Sequence, residues 1–162
     1  MRTNSNQDIM TSLQKIALHR SKPFCYSCYI PAPGNHCPKC HSDDLARLLP
    51  GEGVDFDLDF IIKHIINENL SPVDIEEAFE ESIRSCYPEK ISACWMELDA
   101  VDVAKTMDPI SWEMARNEYI DFEESDGNLI SFDNGSTYFW IHDVEEFIES
   151  EESSLETDES GE

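Results

Sequence analysis

FCYSCYIPAPGNHCPKCHSDDLARLL, residues 24–49, sets Cys25, Cys28, Cys37 and Cys40 in a Cys-x2-Cys-x8-Cys-x2-Cys order. Two such pairs are the ligand supply for one tetrahedral zinc ion. Each tight turn brings two sulfurs to one point, and the spacer, with Pro31, Pro33 and Gly34, is long enough to fold back and present the second pair. Two disulfides, or a redox Cys-x-x-Cys, are the competing readings of four cysteines. The opening residues MRTNSNQDIM have no apolar signal-peptide core, which points to a reducing, cytoplasmic setting, and no βαβ pattern surrounds either pair. The expected cofactor is therefore structural Zn2+, since four thiolates leave no open position for water. His36 and His41 flank the set and are expected beside it.

This stretch resembles a small zinc ribbon, and CPKCHSDDLARLL, residues 37–49, is similar to the second knuckle and following strand of ribbon proteins. The resemblance covers residues 24–49 only. Ribbon knuckles usually carry Gly after the second Cys of each pair, where the backbone needs φ > 0. Tyr29 and His41 stand at those two positions here.

Charge is the second informative feature. The 162 residues carry a formal net charge of −24. Residues 1–50 are slightly basic, whereas residues 117–162 hold many carboxylates and no Lys or Arg. Phosphate backbones are bound through Lys and Arg, so direct nucleic-acid binding is not expected except weakly through the ribbon end. An acidic chain of this kind avoids anionic membranes and is attracted to a basic protein partner. The most apolar run, Ile61-Ile62-Lys63-His64-Ile65-Ile66, is too short to span a bilayer.

Outward from the ribbon, Ile9, Leu13, Ile16 and Ala17 recur at helical spacing and predict a helix over 7–20, capped by Asn6 or Ser5. Phe60, Ile61, Ile65 and Ile66 predict a second over 56–68. Ser71-Pro72 is read as cap and first position of a third, which runs to Cys86 with Ile75, Ala78, Phe79, Ser82, Ile83 and Cys86 as its buried stripe. Cys86 and Cys94 are then free thiols in a helical core. Residues 93–98 predict a strand. Asp99 caps a helix through Met107, and Asp108-Pro109 starts another through Tyr119. Asn134-Gly135 lies between two β-prone runs, 129–133 and 136–141, and signals a hairpin because a type I′ turn needs φ > 0 at both central residues. A short helix begins near Asp143. The last residues, 150–162, are expected to be a disordered acidic tail.

Strand, helix, helix, hairpin is the order of a winged helix-turn-helix, which LDAVDVAKTMDPISWEMARNEYIDFEESDGNLISF, residues 98–132, resembles. The expected fold class is α+β: an N-terminal amphipathic helix (1–22), a zinc ribbon (23–50), a helical pair (51–90), a winged-helix-like region (91–149) and the tail. The helix in the recognition position carries Glu113, Glu118 and Asp121 against Arg116, so it would be repelled by DNA.

No catalytic motif stands out. Asp55, Asp57 and Asp59 lack the Gly and Glu of an EF-hand loop, no Glu-x-x-His accompanies the helical Glu pairs, and His64 and His142 read as surface or boundary residues. Trp95, Trp112 and Trp140, with Tyr138 and Phe139, are expected in the core or the wing. The chain is therefore expected to be a non-enzymatic regulatory or inhibitory protein that binds another protein through acidic surfaces, with DNA mimicry as the sharper form. The candidate partner surface is Glu76, Glu77, Glu80 and Glu81, extended by Glu113, Glu118 and Asp121. The alternative is a transcription-linked factor whose ribbon touches nucleic acid or polymerase through Lys15, Arg20, Lys22, Lys39 and Arg47.

Overall fold

The computed structural model describes residues 5–159 and is a mixed helix-and-sheet protein. Helix α1 (Ser5–Arg20) begins one residue before Asn6, which lies inside it. Four short strands follow: β1 (Lys22–Cys25), β2 (Ile30–Pro31), β3 (Ala46–Leu49) and β4 (Gly53–Asp55), paired antiparallel in the order β2-β1-β3-β4. Helix α2 (Asp59–Asn69) starts three residues later than its apolar period suggested, because Asp55 and Asp57 turn the chain with their carboxylates on the N–H groups of Phe56 and Asp59.

The main core joins elements far apart in sequence. Ile9, Leu13, Ile16 and Ala17 of α1 meet Ile61, Ile62, Ile65 and Ile66 of α2, Leu49 of β3, and Ile141, Val144 and Ile148 of helix α6 (Ile141–Glu159). Burying a side chain of this size contributes roughly 1.5–3 kcal/mol, so this cluster dominates the fold. Helix α6 corrects two expectations. It begins at Ile141 and is long, and residues 150–159 continue it where a disordered tail was expected; residues 160–162 lie outside the described part. Leu155 packs against the core and Glu151 pairs with Arg20 at 2.6 Å, which gives these residues the anchors that their composition does not advertise.

A second cluster is built by α3 (Ile75–Cys86), α4 (Ala100–Met107) and α5 (Pro109–Ser125) around Phe79. The cap of α3 is Asp74, whose carboxylate accepts from Glu77 N–H at 3.1 Å. Ser71-Pro72 lies outside the helix because Val73 N–H is given to the Tyr138 carbonyl at 2.8 Å. Asp99 and Asp108 cap α4 and α5 as the sequence suggested, and α5 runs on to Ser125. The strand expected over 93–98 is two strands, β5 (Lys90–Ala93) and β6 (Met96–Asp99), with Cys94 in the turn at φ 57°. Cys86 and Cys94 are consequently exposed, not core thiols, and Trp95 at the same turn is 91% exposed.

The C-terminal hairpin is also shorter than expected: β7 (Leu129–Ile130) pairs with β8 (Phe139–Trp140). Asn134 and Gly135 do hold φ of 59° and 92°. Ser131 and Asp133 capture the N–H groups of Gly135 and Thr137 at 2.8 and 2.9 Å, so side chains replace the ladder in this loop. Helices α4 and α5 lie between strands as expected, but the expected single strand is a hairpin, and β5-β6 and β7-β8 form separate sheets, so the structure shows a mixed helix-and-sheet fold and not a winged helix. Phe139 is buried and Trp140 half-buried, as expected of this hairpin. Among the described residues no helix is long and apolar enough to cross a membrane.

Candidate metal centre and acidic surface

The ribbon sheet brings the four cysteines together. Strand β1 delivers Cys25, the β1-β2 turn Cys28, and the loop before β3 supplies Cys37 and Cys40; the four Sγ atoms all lie within 4.8 Å of one another. Cys25 Sγ and Cys40 Sγ are 3.7 Å apart. That is far beyond the ~2.0 Å of a disulfide, and it matches the edge of about 3.8 Å that four Zn–S bonds of ~2.3 Å generate in a tetrahedron. The donor set suits a thiophilic dication.

Both knuckles have the backbone that such a site needs. Tyr29 and His41, standing where ribbons usually carry Gly, hold φ of 56° and 64°. The second knuckle is closed by His41 N–H on the Cys37 carbonyl and Cys37 N–H on the Ser42 carbonyl, both 2.9 Å. Cys40 and Lys39 point their N–H groups at Cys37 Sγ, at 3.5 and 3.4 Å. In the first knuckle Tyr29 stacks edge-on against buried Phe24, 5.1 Å between centroids.

The thiols do not ionise alike. The N–H of Cys40, with that of Lys39, lowers the Cys37 thiol to about 6 against the effect of burial. The neighbouring Cys40 sulfur, burial and the other two thiols push Cys28 up to about 12. In Cys25 the Cys28 N–H pulls down, and burial with the Cys37 and Cys40 thiols outweighs it. Crowded sulfurs resist accumulating negative charge, and a bound cation removes that resistance while releasing protons. His36 and His41 are exposed and outside the sulfur cluster.

The expected acidic surface divides. Glu77 and Glu81 of α3 and Glu113, Glu118 and Asp121 of α5 are exposed. Glu76 and Glu80 are half-buried and turned inward. Glu76 accepts from Trp112 Nε1 and from Arg116, both at 2.9 Å, and lies 3.1 Å from Lys105 Nζ. Glu80 accepts from Lys105, which also sits 5.5 Å over the Trp112 ring. Burial pushes the Glu76 carboxyl up, but Arg116, Trp112 and Lys105 together hold it below its ordinary value. Lys105, Trp112 and Arg116 lie 25 to 40 residues from their partners, and no local spacing rule reaches that far.

The basic residues near the ribbon divide in the same way. Arg47 donates to Ser21 Oγ and to the carbonyls of Leu18 and Ser21, at 2.8 to 2.9 Å, and so caps the end of α1. Arg20 is engaged by Glu151. Lys15, Lys22 and Lys39 stay exposed. His64 lies between Glu52 and Glu68, at 3.5 and 3.3 Å, on the rim of α2. Compared with protein families, curated proteins and solved structures, this chain finds no match.

Proposed function

We propose that this is a non-enzymatic regulatory or inhibitory protein, held at its amino-terminal end by a structural zinc ribbon on Cys25, Cys28, Cys37 and Cys40, that docks on a basic protein partner through fixed carboxylates. The observation that carries the proposal is where the cations go. Lys105 and Arg116 are drawn onto Glu76 and Glu80, and Arg84 onto Asp99 at 2.8 Å, so Glu77, Glu81, Glu113, Glu118 and Asp121 are exposed and make no ion pair among the described residues. Rigid helices present these charges in a set pattern, which a floppy acidic segment does not do. Docking on a nucleic-acid-binding protein in place of DNA is the sharper form of this proposal.

Charge reversal tests it. With the partner isolated by affinity capture at low and moderate salt, Glu77→Lys with Glu81→Lys should slow association about tenfold, and added salt should remove the difference. Association that is unchanged by the substitutions and indifferent to salt would sink the proposal. The alternative, a ribbon that contacts nucleic acid or polymerase, is the weaker one because Arg20 is paired with Glu151 and Arg47 with the carbonyls that end α1.

A further inference from the structure

Between α3, β5, α4 and α5 runs an open groove of about 500 Å³, lined almost wholly by apolar atoms. Its floor is Phe79 and Ile83, and one wall is α4, which presents Ala100, Val103, Ala104 and Met107. Those four are spaced i, i+3, i+4 and i+7, the stripe that a helix uses to pack on another helix. In α4 only Val101 is buried, while groove-lining Met107 and Tyr87 are 78% and 62% exposed. Ala104, Ser111 and Ala115 keep the walls low, so the backbone of a docked helix can approach closely. Apolar surface of this kind on a chain this acidic marks a contact site more than a solubility device.

Charge identifies the occupant. Asp108 lines the groove, and Glu89, Asp102 and Glu113 adjoin lining residues in sequence, against Lys90. The other cations that adjoin the lining in sequence, Lys105, Arg84 and Arg116, are engaged by Glu80, Asp99 and Glu76. A second copy of this chain would bring the same −24 and be repelled. We propose that the groove is the docking site for an amphipathic helix of a partner protein, its apolar face laid against α4 and its Lys or Arg flanks set against the acidic rim. This deepens the proposed docking function: it names the secondary structure of the partner and a contact surface separate from Glu77 and Glu81.

The full-length protein is titrated with a fluorescein-labelled Leu/Lys peptide of about 18 residues whose leucines share one helical face. Two controls accompany it: a scramble of the same composition, and a version with Glu at every Lys. The first peptide should bind at least about tenfold tighter than either control. Ala104→Glu with Met107→Glu, both at exposed positions, should weaken it about tenfold with secondary structure unchanged, and amide shifts on titration should fall on Val103, Ala104 and Ala115. Equal binding of the scramble would mean that charge alone acts, and equal binding of the Glu peptide that apolar contact alone acts; either overturns the proposal. So would variants that bind like the parent, or a self-associated state that Ala104→Glu disperses. Loss of peptide binding in the groove variants, together with partner association that ignores Glu77→Lys and Glu81→Lys, would retain the groove and discard the acidic face; the converse would discard the groove alone.

Discussion

Asp133 anchors the loop between β7 and β8. Its carboxylate accepts from Thr137 Oγ1 at 2.6 Å, from Thr137 N–H and from Ser131 Oγ, and these bonds, led by the Thr137 hydroxyl, hold its pKa down to about 2. A depressed carboxyl stabilises the fold above its ordinary pKa near 4, and the contribution is lost as pH falls through about 2. Asp133→Asn should therefore cost about 1 kcal/mol at neutral pH. In thermal unfolding followed from pH 7 to pH 2, the gap from the parent should close on the acid side; a constant gap would refute the assignment. Gly135 in the same loop has little freedom to vary, since its φ of 92° is one that residues with a side chain rarely adopt.

Among the elements, α5 is the one that burial explains least. No residue of it is fully buried, and it is fastened by Trp112 and Arg116 to Glu76 and by Phe79 against Trp112 at 4.7 Å. Removing the shared acceptor should matter more than removing a neighbour on the same helix. Glu76→Ala is expected to destabilise the protein by about 1 kcal/mol, allowing for its partial exposure, and to speed amide exchange along α5, while Glu77→Ala stays within about 0.5 kcal/mol. Equal effects of the two in denaturant titration would contradict the inward placement of Glu76. Local signals made much of this half legible. Asp99 and Asp108-Pro109 located the starts of α4 and α5, because a cap acts within three residues. What remained hidden was long-range. Nothing local indicates that Glu76 meets Arg116 or that Ser71-Pro72 is pulled out of α3 by the Tyr138 carbonyl. The cysteine spacing, by contrast, disclosed the cluster of four sulfurs whole, since its members are close in sequence.

At the scale of the molecule, the ribbon is coupled to the core through Arg47, which reaches from β3 to the last carbonyls of α1. Stripping zinc with a chelator, or Cys28→Ser, should therefore loosen more than residues 24–49. About one equivalent of zinc should be lost, with amide protection falling in the ribbon and in the final turn of α1 while α4 and α5 keep theirs. Zinc affinity should drop as pH falls, because protons compete for the sulfurs. A metal-free protein with the parental exchange pattern would exclude a structural metal.

The first and last helices lie side by side, with Ile9 and Leu13 in the same cluster as Val144 and Ile148 and Arg20 bonded to Glu151. During synthesis the ribbon can close as soon as its own short segment has emerged, since its contacts are local. The central core must wait for α6, and until that helix is made α1 and α2 expose their isoleucines to whatever is near. The nascent chain thus passes through an interval in which its cysteine cluster can already assemble while the apolar faces of its first two helices still lack their last partner.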